Sequence, residues 1–535
     1  MFLSKMKIVL KDVYHQINYK HDEYEKLRNQ TESLLNDISK FSKDSFEGTV
    51  LIDAGWDNPN YWLRLTMIRA ALGLHSAQEI GLLGPFRRKE QRGTLKRISI
   101  TNIFDYFKKS KDFSKSSSEI AKKLYQSLNQ PEDILKWSLP FDIPPDFLYD
   151  YILKRQKYAF VKIDDVRLIN RIQFFLNCAF AADYLIKRFK PKLVISSHAV
   201  GWLFPLVWVA LKNKVKVIFP YGDAGVFRFW QINQIADIYN VMTRPTHKTF
   251  LRTSEKQKIL LQETGKNCLR KRLHGKTDNL GAIYAYSKAK ARINKIQVCT
   301  QFGWDGNKRI VAVYASNWFD FPHTLGMSHF RDFHDWIMVT LEKAKENKNV
   351  NWLFKAHPCD QWYGGITLKD IINVDKYDHI QLVPGDWNGA ALIEVIDAIV
   401  TYHGTIGLEA TATGKPVLVA DKGWYEGWGF VKYPHSREEY LQSLDENWWE
   451  DMDLEENAKL AQIFAGWYWG RPSWQKDFLL EDDSRQWEIY KNIPNLLENN
   501  KEVIGKEIET IRSWFESSYP HYHTYKMMQT DKYIV

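Results

Sequence analysis

Short apolar runs alternate with amphipathic segments in the second half of the chain. The runs RIVAVYAS, NWLFKAHP, AIVTYHG and PVLVAD have the length and the β-branched content of buried strands. Between them, segments such as FRDFHDWIMVTLEKAKEN and TIGLEATATG carry apolar residues at helical spacing. Strand–helix–strand order with short connections implies parallel strands, so the pattern predicts a doubly wound domain over residues 305–450.

The first half shows the same alternation less regularly. Runs such as GTVLIDAG, KLVISSH and VKVIFPYGD predict a second Rossmann-like domain over residues 46–250, interrupted by an insertion at about 100–165. Polar stretches with spaced apolar positions predict helices for residues 1–45, for a connector at 251–304 and for 451–535. The predicted fold class is therefore α/β, with two doubly wound domains facing a cleft and helical additions at both termini.

Composition narrows the function classes without choosing one. With 535 residues, 44% of them hydrophobic and 14% aromatic, the chain has ample material for two cores and is not a disordered protein. A formal charge of +10 suits nucleic acid, an anionic membrane or phosphorylated substrates. Because no nucleic-acid motif accompanies the dispersed basic residues, we favour phosphorylated substrates or a membrane surface and expect no nucleic-acid partner.

Cysteine usage and hydropathy indicate a cytoplasmic protein. The four cysteines lie far apart without a Cys-x-x-Cys pair, so they predict neither a zinc site nor a disulfide framework. No signal peptide or run of eighteen apolar residues is recognisable. The aromatic tail at 509–535 fits either a membrane interface or a helix that returns to the first domain, and we favour the helix.

Two strand ends of the second domain carry residues suited to binding phosphate. Lys355 and His357 end the NWLFKAHP run, where Pro358 stops the ladder. An ammonium and an imidazole at this position can contact two oxygens of one phosphate, although a loop histidine bonded to a carbonyl is a plainer alternative.

The next strand end, YHGTIGLEA, strengthens that interpretation. His403, Gly404 and Thr405 form a strand-to-helix turn that can present backbone N–H groups to an anion. One turn later, Glu409 is a carboxylate of the kind that holds ribose hydroxyls. An ordinary capped helix is the alternative, but two such strand ends in one domain favour nucleotide binding.

These motifs carry a family resemblance. K-x-H-P followed by H-G-T-I-G-L-E-A-x-x-x-G-K-P-V resembles capsule and surface-polysaccharide biosynthesis glycosyltransferases of the GT-B fold, related to the retaining β-Kdo transferases (Kdo is 3-deoxy-D-manno-oct-2-ulosonic acid). The resemblance implies that His357 and Thr405 hold the phosphate of a CMP-sugar and that Glu409 contacts the ribose. The sequence departs from the family pattern at two positions, with Thr405 where serine is more frequent and His403 where asparagine is frequent. These departures leave the identity of the donor's nucleobase open.

The resemblance also suggests a nucleophile in the first domain. The segment PYGDAGVFR is similar to one in which an aspartate attacks the anomeric carbon, which implies that role for Asp223. Asp223 as a general base, or as a structural turn residue, remains open. Arg228 and His198 are further candidate substrate contacts, while the Ser–His neighbours at 197–198 lack the Gly-x-Ser-x-Gly context of a hydrolase.

Asp320 and His323 follow the first strand of the second domain and are candidate contacts for the acceptor or the leaving group. A metal site using them is a weaker alternative, because the ligand spacing is poor, and we expect neither metal nor cofactor. Lys355, His357 and the helix start would then meet the charge on departing CMP.

The resulting hypothesis is a metal-independent, retaining glycosyltransferase of capsule, lipopolysaccharide or O-antigen biosynthesis. It would move Kdo from CMP-Kdo to a glycan or lipid-linked glycan, as a cytoplasmic protein that can sit at the inner membrane face or join polysaccharide assembly proteins. Another nucleotide sugar, a CDP-alditol as in teichoic-acid polymerases, and a non-catalytic scaffold remain alternatives.

Overall fold

A computed structural model describes most of the chain. The described residues are 21–41, 45–56, 58–221, 227–239, 246–277, 279–470 and 489–529. Predictions that fall on the first twenty residues and on Asp223 lie outside these ranges.

The first domain is built on a six-stranded sheet in the order β3-β2-β1-β4-β5-β6. All neighbouring pairs are parallel except β5 and β6, which are antiparallel. The strands are β1 Thr49–Asp53, β2 Gln78–Leu82, β3 Asn102–Phe104, β4 Leu193–Ile195, β5 Lys216–Phe219 and β6 Trp230–Ile232.

The second domain is built on a five-stranded, wholly parallel sheet in the order β11-β10-β7-β8-β9. Its strands are β7 Ile310–Tyr314, β8 Asn351–Lys355, β9 Ile380–Leu382, β10 Ala398–Thr401 and β11 Val417–Val419. Two parallel sheets, each with helices against it, confirm the predicted α/β, GT-B-like class.

The helices flank these sheets and extend beyond them. In chain order they are α1 His21–Ser39, α2 Pro59–Leu72, α3 Arg88–Arg97, α4 Tyr106–Ser110, α5 Ser114–Gln126, α6 Pro145–Gln156, α7 Leu168–Phe189, α8 Phe204–Lys212, α9 His247–Leu251, α10 Glu255–Leu273, α11 Leu280–Ala285, α12 Lys295–Phe302, α13 Phe333–Glu346, α14 Asp360–Tyr363, α15 Leu368–Ile371, α16 Gly389–Val395, α17 Thr405–Thr411, α18 Arg437–Asp445, α19 Leu454–Trp469, α20 Ile489–Asn499, α21 Lys501–Glu516 and α22 Tyr522–Met528.

Burial explains why the strands are continuous apolar runs. Residues 50–52 of β1 and 310–313 of β7 are fully buried, because helices cover both faces of each sheet. Charged residues are consequently displaced to the strand ends, where Asp53 and Lys355 stand.

The C-terminal helices tie the connector and the first domain together. Helix α19 crosses α10 so closely that a Cβ on Gly265 would lie 1.8 Å from the carbonyl oxygen of Gln462. Trp514 and Tyr522, on α21 and α22, belong to the core that contains Val50 of β1. The prediction that the tail returns to the first domain as a docked helix is therefore confirmed.

The segment predicted as an insertion at 100–165 begins with β3, which belongs to the first sheet, and its helix α6 contacts the second domain. The Asp150 carboxylate bonds the His323 ring at 2.6 Å, and the Lys154 ammonium pairs with Asp320 at 2.7 Å. The Lys157 ammonium donates to the carbonyl of Tyr363 at 2.7 Å. These contacts fix the two domains relative to each other on one side of the cleft.

Candidate functional site

A cavity of about 480 Å³ lies at the carboxyl edge of the second sheet, between that edge and the connector. All six predicted phosphate and nucleotide residues line it, together with Asp320. The lining includes Lys355, His357, His403, Gly404, Thr405 and Glu409.

Strand register explains why residues far apart in the chain meet here. Tyr314, the last residue of the central strand β7, pairs with Lys355 on one side and with Thr401 on the other. The loops that follow β8 and β10 therefore emerge on either side of Tyr314. His357 and His403 are the second residues of those loops and enter the same space.

Lys355 supplies a half-buried positive charge at the end of β8. Burial lowers the pKa of its ammonium to about 8, against the opposing charges of Asp360 and Glu409, so the group remains protonated at neutral pH. Within the described residues the ammonium forms no ion pair with a carboxylate, and it lies 5.6 Å from the centre of the Tyr314 ring. An unpaired buried cation is costly unless an anion reaches it.

His357 presents a hydrogen-bond donor rather than a charge. Burial and the neighbouring Lys355 lower the pKa of the imidazole to about 4, so the ring is neutral at pH 7. The Cys359 backbone N–H donates to Nδ1 at 3.3 Å. In the neutral ring the proton is consequently on Nε2, which is free to donate to a phosphate oxygen.

Thr405 begins helix α17, and Gly404 is its N-cap without a side-chain capping bond. The helix is only seven residues long, so its dipole is a smaller contribution than the sequence suggested. Gly407 is required for packing, since a Cβ there would lie 2.2 Å from the Tyr425 hydroxyl.

Glu409 is held from outside its own domain. Its carboxylate accepts hydrogen bonds from Arg272 Nε and from the Tyr286 hydroxyl, both of the connector. Each carboxylate oxygen keeps further acceptor capacity, so contact with a ribose hydroxyl stays a prediction. The pairing with Arg272 also removes that guanidinium from the free charge of the cavity.

Several polar atoms around the cavity lack partners within the described residues. They are His403 Nδ1, the Tyr314 hydroxyl and Asn317 Oδ1. Burial lowers the pKa of His403 to about 4, which leaves Nδ1 as a neutral nitrogen. The sequence analysis did not predict Tyr314 and Asn317. Both stand at or just after the end of β7, as His357 stands just after β8, so the expectation that polar residues at strand ends face the site also applies to them.

Three predicted site residues among the described residues are not in the lining of the cavity, namely His198, Arg228 and His323. The ring of His323 bonds the Asp150 carboxylate, and the residue is only 4% exposed. His323 therefore links the two domains rather than contacting a substrate. Arg228 packs on the Tyr468 ring and donates to that residue's carbonyl. His198 lies at a strand end of the first domain, and Asp223 lies outside the described residues.

The described residues contain neither a candidate metal site nor a membrane-spanning helix. Across the described ranges, no three His, Cys, Asp or Glu side chains are grouped so that they could hold a metal ion. No helix in the same part of the chain combines the length and the apolar character needed to cross a membrane.

Two doubly wound domains with an anion-type cavity at the carboxyl edge of the second define a GT-B-like α/β protein. Residues 282–467 match the family model described as capsule polysaccharide biosynthesis protein. The matched segment contains the whole second sheet and its cavity-lining loops, so the resemblance expected from the motifs is confirmed for the second domain. No curated protein matches the chain in sequence.

The chain matches solved structures only at low identity and low TM-score. The Thermosulfurimonas dismutans KpsC, described as a beta Kdo 2,4 transferase, is 14% identical, with 52% of this chain and 79% of that chain covered and a TM-score of 0.34. UDP-GlcNAc 2-epimerase from Neisseria meningitidis is 13% identical, covering 85% of this chain and 100% of its own at a TM-score of 0.22. The Streptomyces nogalater glycosyltransferase SnogD is 10% identical, covering 79% and 96% respectively at a TM-score of 0.24.

Proposed function

We propose that the protein is a glycosyltransferase of surface-polysaccharide biosynthesis that binds a nucleotide-activated sugar in the cavity of its second domain. The observation that carries the proposal is the convergence of Lys355, His357 and Thr405 on one cavity from two strand ends. The family match over residues 282–467 supplies the biosynthetic context.

The donor phosphate would lie between Lys355, His357 and Thr405. The ammonium provides charge, the Nε2–H of His357 provides a directed donor, and the hydroxyl of Thr405 provides a third hydrogen bond. These groups also stabilise the charge that develops on the phosphate as the sugar leaves, because they are fixed in place before the reaction. Chemistry of this kind needs no metal ion.

The choice of CMP-Kdo rests on the motif resemblance. Under this hypothesis Asp223 attacks the anomeric carbon, CMP departs, and a hydroxyl of the acceptor glycan then displaces the carboxylate with net retention. An inverting reaction with Asp223 as general base is the mechanistic alternative. The acceptor would be a glycan or lipid-linked glycan met at the cytoplasmic membrane face.

Calorimetric titration with CMP, CDP, UDP and GDP tests the donor class. We expect CMP to bind and Lys355→Ala and His357→Ala to weaken binding, whereas the exposed controls Lys376→Ala and His435→Ala should not. Tighter binding of CDP would favour the CDP-alditol alternative, and preference for UDP or GDP would favour another sugar nucleotide. Failure of all four to bind would contradict the proposal and favour a scaffold.

Turnover is tested separately with CMP-Kdo. Release of CMP, together with a covalent Kdo adduct that is absent in Asp223→Ala, is the expected outcome. Undiminished turnover in Asp223→Ala would refute the role of that carboxylate while leaving the donor site intact.

A further inference from the structure

A chain of hydrogen bonds in the first domain ends at an imidazole. Asp53 ends β1 and Ser197 follows β4, and these neighbouring parallel strands bring their carboxyl ends together. The fully buried Asp53 carboxylate accepts from the Gly55 N–H at 2.6 Å, from the Ser197 N–H at 3.1 Å and from the Ser197 hydroxyl. The ring of His198 then lies 3.0 Å from Ser197 Oγ through Nδ1.

The direction of these bonds determines which ring nitrogen carries the proton. Ser197 has a single hydroxyl proton, and it is donated to Asp53, so Oγ accepts from His198 Nδ1–H. Nε2 is left with its lone pair and forms no hydrogen bond within the described part of the chain. Although burial raises the pKa of Asp53, three converging donors favour the carboxylate.

The imidazole is neutral and faces the second domain. Burial lowers the pKa of His198 to about 4, while the charge of Asp320 acts in the opposite direction. Asp320 lines the donor cavity and acts in the same way on His357. A Cβ on Gly201, three residues beyond His198, would lie 3.8 Å from the Phe321 ring, so the two loops meet across the cleft.

The ring is also fixed in orientation. The Trp56 indole meets it edge-on with ring centres 5.0 Å apart, and the Ser196 hydroxyl donates to the His198 carbonyl at 2.9 Å, which holds the turn. A neutral, oriented imidazole with an available lone pair is the form required of a general base.

We propose that His198 accepts the proton of the attacking hydroxyl during sugar transfer, with Asp53 and Ser197 as positioning residues that keep the lone pair on Nε2. This inference rests on the proposed function. The hydroxyl oxygen forms a bond to the anomeric carbon as its proton moves to Nε2. The bond from that carbon to the leaving oxygen breaks, the leaving oxygen keeps the electron pair, and the imidazolium later releases the proton to solvent.

The order of the three groups excludes a serine-hydrolase reading. In a nucleophilic triad the imidazole lies between the acid and the serine and accepts the serine proton. Here the serine lies between the acid and the imidazole, so its proton is directed away from His198. The charge of Asp320, which is paired with Lys154, favours the imidazolium from a distance.

Three variants separate the base from a structural role. His198→Gln removes the base. Asp53→Asn keeps the shape but replaces one acceptor oxygen by an amide donor. When that amide faces Ser197, the serine hydroxyl turns towards Nδ1 and the ring proton moves to Nε2. Ser197→Ala removes the hydroxyl that links Asp53 to the ring. The exposed His75→Gln is the matched control.

The measurements are CMP affinity, steady-state release of CMP from CMP-Kdo with water as the acceptor, and the ring ¹⁵N shifts of His198. We expect His198→Gln and Asp53→Asn to lower kcat by about 10²-fold or more. KM for CMP-Kdo and the Kd of CMP should stay within about twofold, Ser197→Ala should lower kcat, and His75→Gln should keep the parent kcat. The ¹⁵N shifts should show an unprotonated Nε2 in the parent and a protonated one in Asp53→Asn.

Each result is informative about one claim. If the parent binds no CMP, the proposed function fails. The ¹⁵N shifts then test by themselves whether Asp53 and Ser197 keep the proton of His198 on Nδ1. If the parent releases CMP and His198→Gln does so at the parent rate, the inference is overturned. A protonated Nε2 in the parent overturns it as well, whether or not turnover is seen.

Discussion

Replacing Lys355 by methionine should weaken nucleotide binding and at the same time stabilise the free protein. The ammonium is buried at a strand end, and its pKa is lowered from 10.5 to about 8 by burial. A lowering of that size corresponds to a folding cost of roughly 3 kcal/mol at pH 7. Methionine fills a similar volume without that cost, so the free energy of unfolding should rise by up to this amount.

The opposite sign is expected for binding. A hydrogen bond to a charged group contributes roughly 1.5–3 kcal/mol, which corresponds to an increase of about 10- to 100-fold in the Kd of CMP. Calorimetric titration measures the affinity, and urea denaturation of the free protein measures the stability. Lys376→Met, at an exposed position of the same domain, is the control and should change neither.

The pH dependence gives the stability claim a second check. Because the folded-state pKa is depressed, the cost is fully present below pH 8 and is lost as the pH rises towards 10.5. The stability gain of Lys355→Met should therefore fall to less than about half by pH 9.5. A variant that binds CMP like the parent, or that is less stable than the parent at pH 7, would refute the reasoning.

Three further predictions follow from the same geometry. The neutral ring of His357, with a pKa of about 4, should gain affinity for a proton when a phosphate binds, so CMP should bind more tightly at pH 6 than at pH 7.5. Calorimetry in buffers of different ionisation enthalpy should detect the proton uptake, and equal affinity at both pH values without uptake would contradict this prediction. Tyr314→Phe removes a buried hydroxyl that has no partner within the described residues, so it should leave the free protein as stable as the parent or more so, and it should weaken binding if the donor reaches that hydroxyl; a loss of stability by urea denaturation would contradict the first part. Gly265→Ala should destabilise the protein by at least about 1–3 kcal/mol, because its Cβ would meet the Gln462 carbonyl of the crossing helix, whereas Gly306→Ala, with open space around it, should not.

The candidate phosphate-binding residues could be predicted from the sequence because the end of a buried strand can be recognised from the local sequence. Lys355 and His403 each follow an apolar run by no more than two residues, and parallel pairing on either side of β7 brings those ends together without further information. The same logic could have found Tyr314, at the end of β7. Tyr314 lies outside the two motifs on which the prediction was based.

Contacts that depend on tertiary packing could not be predicted in this way. The partners of Glu409 come from the connector, which shows no periodicity that would place Arg272 against the second sheet. His323 lies in a short 3-10 helix, Pro322–Leu325, in the connection that follows β7, and its ring bonds Asp150 of an insertion to which the sequence assigned no role. The bond between Asp53 and Ser197 likewise joins strands whose adjacency the sequence did not specify.

A crystal structure of the protein with CMP is the most direct measurement of the central claim. We expect the phosphate of CMP to lie within hydrogen-bond distance, about 2.7–3.2 Å, of Lys355 Nζ, His357 Nε2 and the Thr405 hydroxyl. CMP bound outside this cavity, or bound in it with its phosphate directed away from Lys355 and His357, would contradict the account.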